Sequence, residues 1–394
     1  MIDVLPSAAR CLALGLLALS AFPQTLGCGY HNSKRFLEAK AALDRGIYGP
    51  ANLAKRQRGG DPLATLRILN PYPGVYAYYD GRTGDRFWSQ EPNWLDDGAF
   101  TLGVSTYAVV DGNEALLYDT HITQEHAAAM LAHVTSLGVN KTTVVFSHYH
   151  NDHIAGAVVF SNVSELVGNT ITAQVVQSKA PSLPSADPPI VPVLPRKLYN
   201  DTMQIMVGTT AVELHHFNIH TEDGTILYLP QRNLLFAGDT LEDTATFISK
   251  PADLSTHAAE LARMYATFPA DAVRILPAHG SPDRIAAGGY RTSFINATLN
   301  YIGKINEPVA QPAAWNQNLS EVVAADVASG TLLYFAQYEA VHQGNVQSVM
   351  EVRAGNAQKQ GGLENENEAN RMRLSCLWVG GFVAAFWVML MSEY

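Results

Sequence analysis

Thiols are almost missing from this sequence of 394 residues: Cys11, Cys28 and Cys376 are its only cysteines. No disulfide and no zinc-thiolate centre can therefore form between residues 29 and 375, and a metal held there must be held by histidine and carboxylate. Basic charge is scarce as well. Lysine and arginine number 26 against 36 acidic residues, a formal net charge of −10, so a nucleic-acid-binding surface would work against a repulsive field and no nucleic-acid partner is expected. Long apolar runs are confined to the two ends. With 47% hydrophobic and 16% charged residues, the composition excludes a disordered, collagen-like or polytopic membrane chain. It predicts a mostly soluble globular protein, long enough for one large domain or two ordinary ones.

The ends read differently from the middle. Residues 11–19 form an apolar block behind Arg10, and Ala18-Leu19-Ser20 puts small residues at the −3 and −1 positions of a cleavage site, which predicts a signal peptide over 1–20. Residues 21–74 are then an N-terminal extension, with Lys55-Arg56 as a dibasic processing site. Asn140, Asn162, Asn200, Asn296 and Asn318 each open an N-x-Ser/Thr acceptor, in keeping with glycosylation on a secretory route. Residues 374–391 carry no charge and as a helix would span about 27 Å, just enough for a thin bilayer. Following a linker over 354–373, this block reads as a membrane anchor: a lipid-anchor signal after Gly361-Gly362, or a tail anchor with Arg371 and Arg373 on its cytosolic side. The expected location is secreted or anchored at the cell surface, the alternative a tail anchor facing the cytosol.

From Tyr76 onward, β-branched and aromatic runs alternate with turns. Runs at 105–110 and 115–118 flank Asp111-Gly112-Asn113, a hairpin signal. Ala127, Met130, Leu131, Val134 and Leu137 recur at helical spacing and Gly138 supplies the stop. Further strands are expected at 142–146, 203–207, 211–217, 225–229, 234–237 and 273–276, and helices at about 255–267 and 291–305. The stretch 178–196, with its six prolines, is a surface loop. Such a mixture predicts an α+β fold of layered sheets and helices, with a catalytic domain over 75–305 and a C-terminal helical extension over 306–353.

The 142–146 strand runs into Ser147-His148-Tyr149-His150-Asn151-Asp152-His153. Three histidines and an aspartate within six residues can converge on one point, because the strand holds the loop still. One zinc takes four nitrogen or oxygen ligands, and a second needs more from elsewhere.

In His148, His150, Asp152 and His153 the chain resembles the metallo-β-lactamase superfamily, whose signature is His-x-His-x-Asp-His. His220, Asp239 and His279 follow in the family's order, 67, 19 and 40 residues apart. The resemblance spans roughly residues 75–305 and implies a four-layer αββα sandwich. It implies one zinc held by His148, His150 and His220, a second held by Asp152, His153 and His279, and Asp239 bridging them. The bridging charge offsets cation repulsion at the roughly 3.5–4 Å separation of two-metal sites, and a metal-bridging hydroxide, from water acidified to a pKa of about 7, is the implied nucleophile. Asp152 and Asp239 are the carboxylates nearest the chemistry. Asp119, closing the 115–118 strand, matches the family's first motif and is expected to brace the metal loop by orienting a ligand histidine. His121, His126 and His133 are expected to be surface or structural. His215 and His216 are expected to be structural too, although alternation puts His216 on the face of His220.

The implied activity is hydrolysis of a small-molecule ester, lactone, thioester or amide, β-lactams included. Superfamily β-lactamases with this signature generally lack the bridging aspartate that lactonases, glyoxalase II-like thioesterases and phosphodiesterases carry, so Asp239 favours the latter group. Acidic Glu222 and Asp223 stand beside His220, and with the net charge of −10 they weigh against the phosphodiesterase or nuclease alternative. A mononuclear iron oxygenase is another alternative, since histidine and carboxylate also suit iron; the complete two-metal set favours zinc. Trp88, Trp94, Leu95, Phe100 and Tyr107 are candidates for an aromatic rim that admits an apolar or cyclic substrate.

Overall fold

Strand alternation sorts the apolar residues of the middle region into two cores. The computed structural model describes residues 57, 58, 62–83, 86–89, 93–268 and 273–355. Its first large sheet has seven strands, adjacent in chain order: β1 (Arg67–Tyr72), β2 (Val75–Asp80), β3 (Val104–Asp111), β4 (Glu114–Tyr118), β5 (Lys141–Val145), β6 (Ser164–Asn169) and β7 (Lys197–Tyr199). Pairing is antiparallel from β1 to β4 and parallel from β4 to β7. The second sheet has six: β8 (Thr202–Val207), β9 (Thr210–His216), β10 (Thr225–Leu229), β11 (Leu234–Gly238), β12 (Arg274–Pro277) and β13 (Tyr290–Arg291). All its neighbours are antiparallel except β11 and β12.

Helices α1 (Gln124–Ser136), α2 (Asn151–Ile154) and α3 (Thr170–Lys179) accompany the first sheet and α4 (Leu254–Thr267) and α6 (Ser293–Ile305) the second, while α5 (Pro282–Ala286) packs on β1 and β2 of the first. Along β4, Leu116 and Tyr118 face one way and Ala115 and Leu117 the other, as a period of two requires. The first pair joins Tyr107, Val145, Leu214, Leu227 and Phe236 in a core between the sheets. The second pair packs with Val144 and Phe146 against Ala127, Met130 and Val134 of α1. Thr123 caps α1, its hydroxyl accepting the His126 N–H at 3.3 Å, and Gly138 stops the helix at φ +90°. On the second sheet, the ring of Phe268 lies against His215, Phe217 and Tyr228. The result is a mixed α/β fold with two central sheets flanked by helices, the αββα sandwich that the resemblance implied.

By compactness the chain divides into Met1–Asn345 and Val346–Tyr394. In the first unit, short helical turns at Ala313–Asn316, Leu319–Val322 and Ala324–Ala328 follow α6, and a longer helix begins at residue 338. Of the second unit, residues 346–355 are described, and they are helical.

The expectations of a signal peptide, a membrane anchor and glycosylation need correction. Among the described residues, no helix is long and apolar enough to cross a membrane. The segments 1–20 and 374–391, with Lys55-Arg56 between them in the chain, lie outside the described residues. The membrane partner and the secreted, cell-surface or tail-anchored location therefore have nothing among the described residues to carry them. Two of the glycan acceptors have local roles: Asn140 accepts a hydrogen bond from the Asn113 side chain at 3.0 Å, and Asn318 stands at the N-cap of a short helix.

Candidate metal centre

The ligand loop begins where β5 stops pairing. The Phe146 N–H still donates to Val167, at 3.0 Å, and the chain then turns through Ser147 to His150, whose extended backbone opens α2 and places Asp152 and His153 in its first turn. Asp119 fastens this turn from the neighbouring strand. It follows β4, continues the parallel ladder through its own N–H to Val145 at 2.9 Å, and adopts φ +71°, a left-handed conformation uncommon in residues other than glycine. One carboxylate oxygen accepts the Ser147 N–H at 2.6 Å and the other meets His153 Nδ1 at 2.8 Å. His153 Nε2 is thereby turned to Asp239, 3.1 Å away.

The other histidines are oriented by comparable contacts. His279 Nδ1 donates to the Gly103 carbonyl at 2.6 Å. Gly103 sits at φ +76°, and a Cβ there would lie 2.1 Å from the Tyr79 hydroxyl oxygen, so only glycine brings this carbonyl so close. His148 Nδ1 lies 2.9 Å from the Ser147 hydroxyl. Gly238 ends β11 at φ +52°, where a Cβ would crowd Ser147 and Tyr118 at 3.1 Å, and it delivers Asp239.

Two groups of potential ligands result, both buried: His148, His150, His220 and Asp239 in one, Asp152, His153, Asp239 and His279 in the other. Within each, the ligand atoms lie within 4.8 Å of one another. Asp239 Oδ2 belongs to both, at 3.4 Å from His148 Nε2, 3.6 Å from His220 Nε2, 3.1 Å from His153 Nε2 and 3.4 Å from His279 Nε2. Asp152 Oδ2 lies 3.4 Å from His279 Nε2 and 3.7 Å from His153 Nε2. His150 Nδ1 stands 2.8 Å from His148 Nε2 and 3.1 Å from His220 Nε2.

Three imidazole nitrogens around one point cannot all be satisfied by one another's protons. His279 Nε2 is buried with no hydrogen-bond partner while it faces two carboxylates. Both features fit a cation at each group, and four nitrogen and oxygen donors apiece suit zinc. The two clusters are positioned to coordinate metal ions and are consistent with a dinuclear zinc site.

Charge is distributed unevenly between the groups. Burial, then the neighbouring His148 and His220, hold His150 well below the ordinary histidine value, and burial pushes His220 down to about 3. Both are neutral, the form that binds metal. Burial also opposes the cation at His153 and His279, but carboxylates outweigh it: Asp239, Asp152 and Asp119 at His153, and Asp239, Asp152 and Glu242 at His279. Both are held well above the ordinary value, so without metal these two imidazoles carry the positive charge that a metal ion would supply.

Among the described residues, the remaining histidines join neither group. His126 meets Asp80 at 2.8 Å and stacks on His121, with ring centroids 4.5 Å apart, and His133 meets the Tyr78 hydroxyl at 2.9 Å. His215 pairs with Glu213 at 3.1 Å, and His216 donates to the Glu222 carbonyl at 2.7 Å. Glu222 also pairs with Lys250 at 2.6 Å, whereas buried Asp223 accepts the Thr221 hydroxyl at 2.6 Å. The expected aromatic rim proves to be mostly core. Trp94, Leu95, Phe100 and Tyr107 are buried, the Trp94 indole N–H donating to Pro188 at 3.0 Å and the Tyr107 hydroxyl to Pro277 at 2.6 Å; only Trp88 of the five is exposed, at 41%.

Three contributors escaped the sequence reading: the Ser147 hydroxyl, the Gly103 carbonyl and Glu242, whose Oε1 lies 3.7 Å from His220 Nδ1. Glu242 had a signal, a carboxylate one helical turn's length after Asp239. A backbone carbonyl leaves no trace in residue type.

The family model described as the metallo-beta-lactamase superfamily matches residues 99–279. A curated protein, metallo-beta-lactamase type 2 of Bacteroides fragilis, is 26% identical over 210 residues, covering 52% of this chain and 77% of that protein. Among solved structures, a metallo-beta-lactamase from Pontibacter korlensis is 20% identical, with a TM-score of 0.48, and covers 60% of this chain and 99% of its own. A metallo beta lactamase from Hirschia baltica is 16% identical, with a TM-score of 0.45, and covers 60% of this chain and 97% of its own.

Proposed function

Because this chain carries the metallohydrolase fold of the metallo-β-lactamase superfamily with its His/Asp metal-binding motif, we propose that it hydrolyses a small-molecule ester, lactone, thioester or amide with two zinc ions bound. His148, His150 and His220 would hold one ion and Asp152, His153 and His279 the other, with Asp239 available to both; the proposed catalytic domain is 75–305. The observation that carries this reading is Asp239 Oδ2, within 3.1 to 3.6 Å of four histidine nitrogens drawn from both groups.

Zinc bound there supplies Lewis acidity and lowers the pKa of water to about 7, which provides a nucleophile at neutral pH. The protein's own part is to aim the ligands and to handle protons. Asp119 holds the Nδ1 proton of His153, and Gly103 that of His279, so both rings present Nε2 inward. Burial disfavours the charged carboxylate of Asp152, but His153 and His279 outweigh it and keep Oδ2 ionised, so this atom is placed to accept a proton given up in the site. Asp239 is held as a carboxylate against burial by His153, His279 and His148, and it balances positive charge on either side.

Among electrophiles, the shared aspartate supports lactones, esters and thioesters, and the name of the Bacteroides relative adds β-lactams to the classes worth testing. Metal analysis of the purified protein, with a screen of lactone, thioester, ester, β-lactam and phosphodiester substrates, tests the proposal. Close to two zinc ions per chain and turnover of a carbonyl substrate are expected. Full activity with one iron and no zinc would overturn it.

A further inference from the structure

Asp239 opens a segment, 239–249, whose Asp243 N–H donates to the His279 carbonyl at 3.0 Å and whose Ser249 hydroxyl donates to the His220 carbonyl. The superfamily match includes this segment but ends at residue 279, and much of what fastens the segment lies beyond that point. The Leu333 N–H donates to Asp243 Oδ1 at 2.9 Å, and the Phe335 N–H to Thr244 Oγ1 at 2.7 Å. The Thr244 hydroxyl donates in turn to the Leu333 carbonyl at 2.8 Å. Asn345 Oδ1 accepts the Ile248 N–H and its amide donates to the Thr246 carbonyl, both at 2.9 Å.

Glu242 stands at the centre of this clamp, 1% exposed. Its Oε1 accepts the Phe247 N–H at 2.8 Å, its Oε2 accepts the Tyr338 hydroxyl at 3.2 Å, and Oε1 faces His220 Nδ1 at 3.7 Å. His220 Nδ1 is itself buried and has no hydrogen-bond partner. His148, His153 and His279 each have a partner for Nδ1 within 2.9 Å. A ligating imidazole donates its second N–H to an acceptor that fixes its orientation, and for His220 the carboxylate in place is Glu242.

We propose that Glu242 is the positioning residue for His220, and that Tyr338 and the segment 331–345 hold it there, which makes this C-terminal part of the first unit a component of the His148/His150/His220 metal group. The inference rests on the two-metal reading.

The test follows metal rather than turnover. Protein loaded with zinc alone is titrated with a competing chelator and the zinc retained is measured, with cobalt(II) in parallel so that its visible spectrum reports ligand geometry. Three variants are compared: Glu242→Met, which removes the acceptor; Glu242→Gln, which keeps an oxygen; and Tyr338→Phe, which removes only the supporting hydroxyl. In Glu242→Met one ion of the two should be released at roughly 10- to 100-fold lower chelator, the usual loss for an orienting partner, with a changed cobalt spectrum. Glu242→Gln should restore retention to within a few-fold, and Tyr338→Phe should loosen the same ion by a smaller factor. Unchanged affinity for both ions in Glu242→Met overturns the inference, as does equal loosening of both ions in the Met and Gln variants. If Glu242→Met does not fold, Tyr338→Phe decides, and unchanged zinc retention there overturns it. Failure of the variants to differ in a chain that binds two zinc ions sinks this inference alone, whereas a wild-type chain that binds fewer than two sinks the underlying reading and the inference with it.

Discussion

The two metal groups share one aspartate and the loop that carries His148 to His153, yet they differ in charge and in support. The Asp152/His153/His279 group is rich in carboxylate and is tied to the first sheet, through Asp119 at 2.8 Å from His153 and the Gly103 carbonyl at 2.6 Å from His279. The His148/His150/His220 group is rich in neutral imidazole, and His220 faces Glu242 on the second sheet's side at 3.7 Å. The contrast teaches that ligand identity alone does not set how firmly a metal is held. The first group is oriented before metal arrives by bonds already at full strength, and its histidines carry compensating charge. The second has the right donors but one looser support, so its affinity depends on a segment remote in sequence.

The comparison breaks most completely at the shared residue. Asp239→Asn keeps the shape and removes the charge both groups use, so kcat/KM should fall by about 10³-fold or more while circular dichroism still reports a folded chain, because such charge is worth several kcal/mol in a two-metal site. Undiminished turnover with unchanged metal content would show that the sharing is misassigned. Next in size is Asp119→Asn. Asparagine tolerates the left-handed backbone at φ +71°, so the loss should be confined to orientation: roughly 10- to 100-fold weaker retention of one zinc ion, measured by chelator competition. Equal weakening of both ions would erase the distinction between the groups.

A smaller effect is expected at Gly103→Ala. The left-handed backbone and the clash with Tyr79 should lower stability by about 1–3 kcal/mol, seen as a fall in the melting temperature. An unchanged melting temperature would show that the His279 carbonyl contact needs no glycine.

The smallest effect separates the groups by protonation. In metal-free protein His220, whose folded value is about 3 against 6.5 for a free histidine, contributes stability above 6.5 that is lost as pH falls toward 3. His153 and His279 are raised, so their contribution is complete below 6.5 and is lost as pH climbs through their folded values. The melting temperature of the metal-free form should therefore peak close to pH 6.5 and fall on both sides. A monotonic profile, or histidine NMR signals that titrate together, would deny the contrast.

Much of this was legible from residue types. The ligands could be read because metal chemistry needs particular donors, and His148, His150, Asp152 and His153 concentrate them in one loop. The runs at 105–110 and 115–118 fall within β3 and β4 because alternation on a two-faced sheet writes itself into the sequence. What stayed hidden was pairing at a distance: Gly103 with His279 across 176 residues, and Tyr338 with Glu242 across 96. Trp94, Phe100 and Tyr107 misled for a different reason, since an apolar ring suits a core as well as a pocket edge and only the packed chain decides between them. The terminal apolar runs and the acceptor triplets at Asn140 to Asn318 misled through composition alone, which records such patterns without any context for them.

The parallel pairing of β4 with β5 also sets an order of assembly. The two strands are joined by a single crossover through α1, so Asp119 can meet Ser147 and His153 as soon as that short stretch has left the ribosome. Domains are built from the N-terminus as synthesis proceeds, and Asp239, His279 and the 331–345 clamp are added later in that sequence. A nascent chain thus offers a half-built ligand loop, His148, His150, Asp152 and His153, well before the aspartate common to both groups exists.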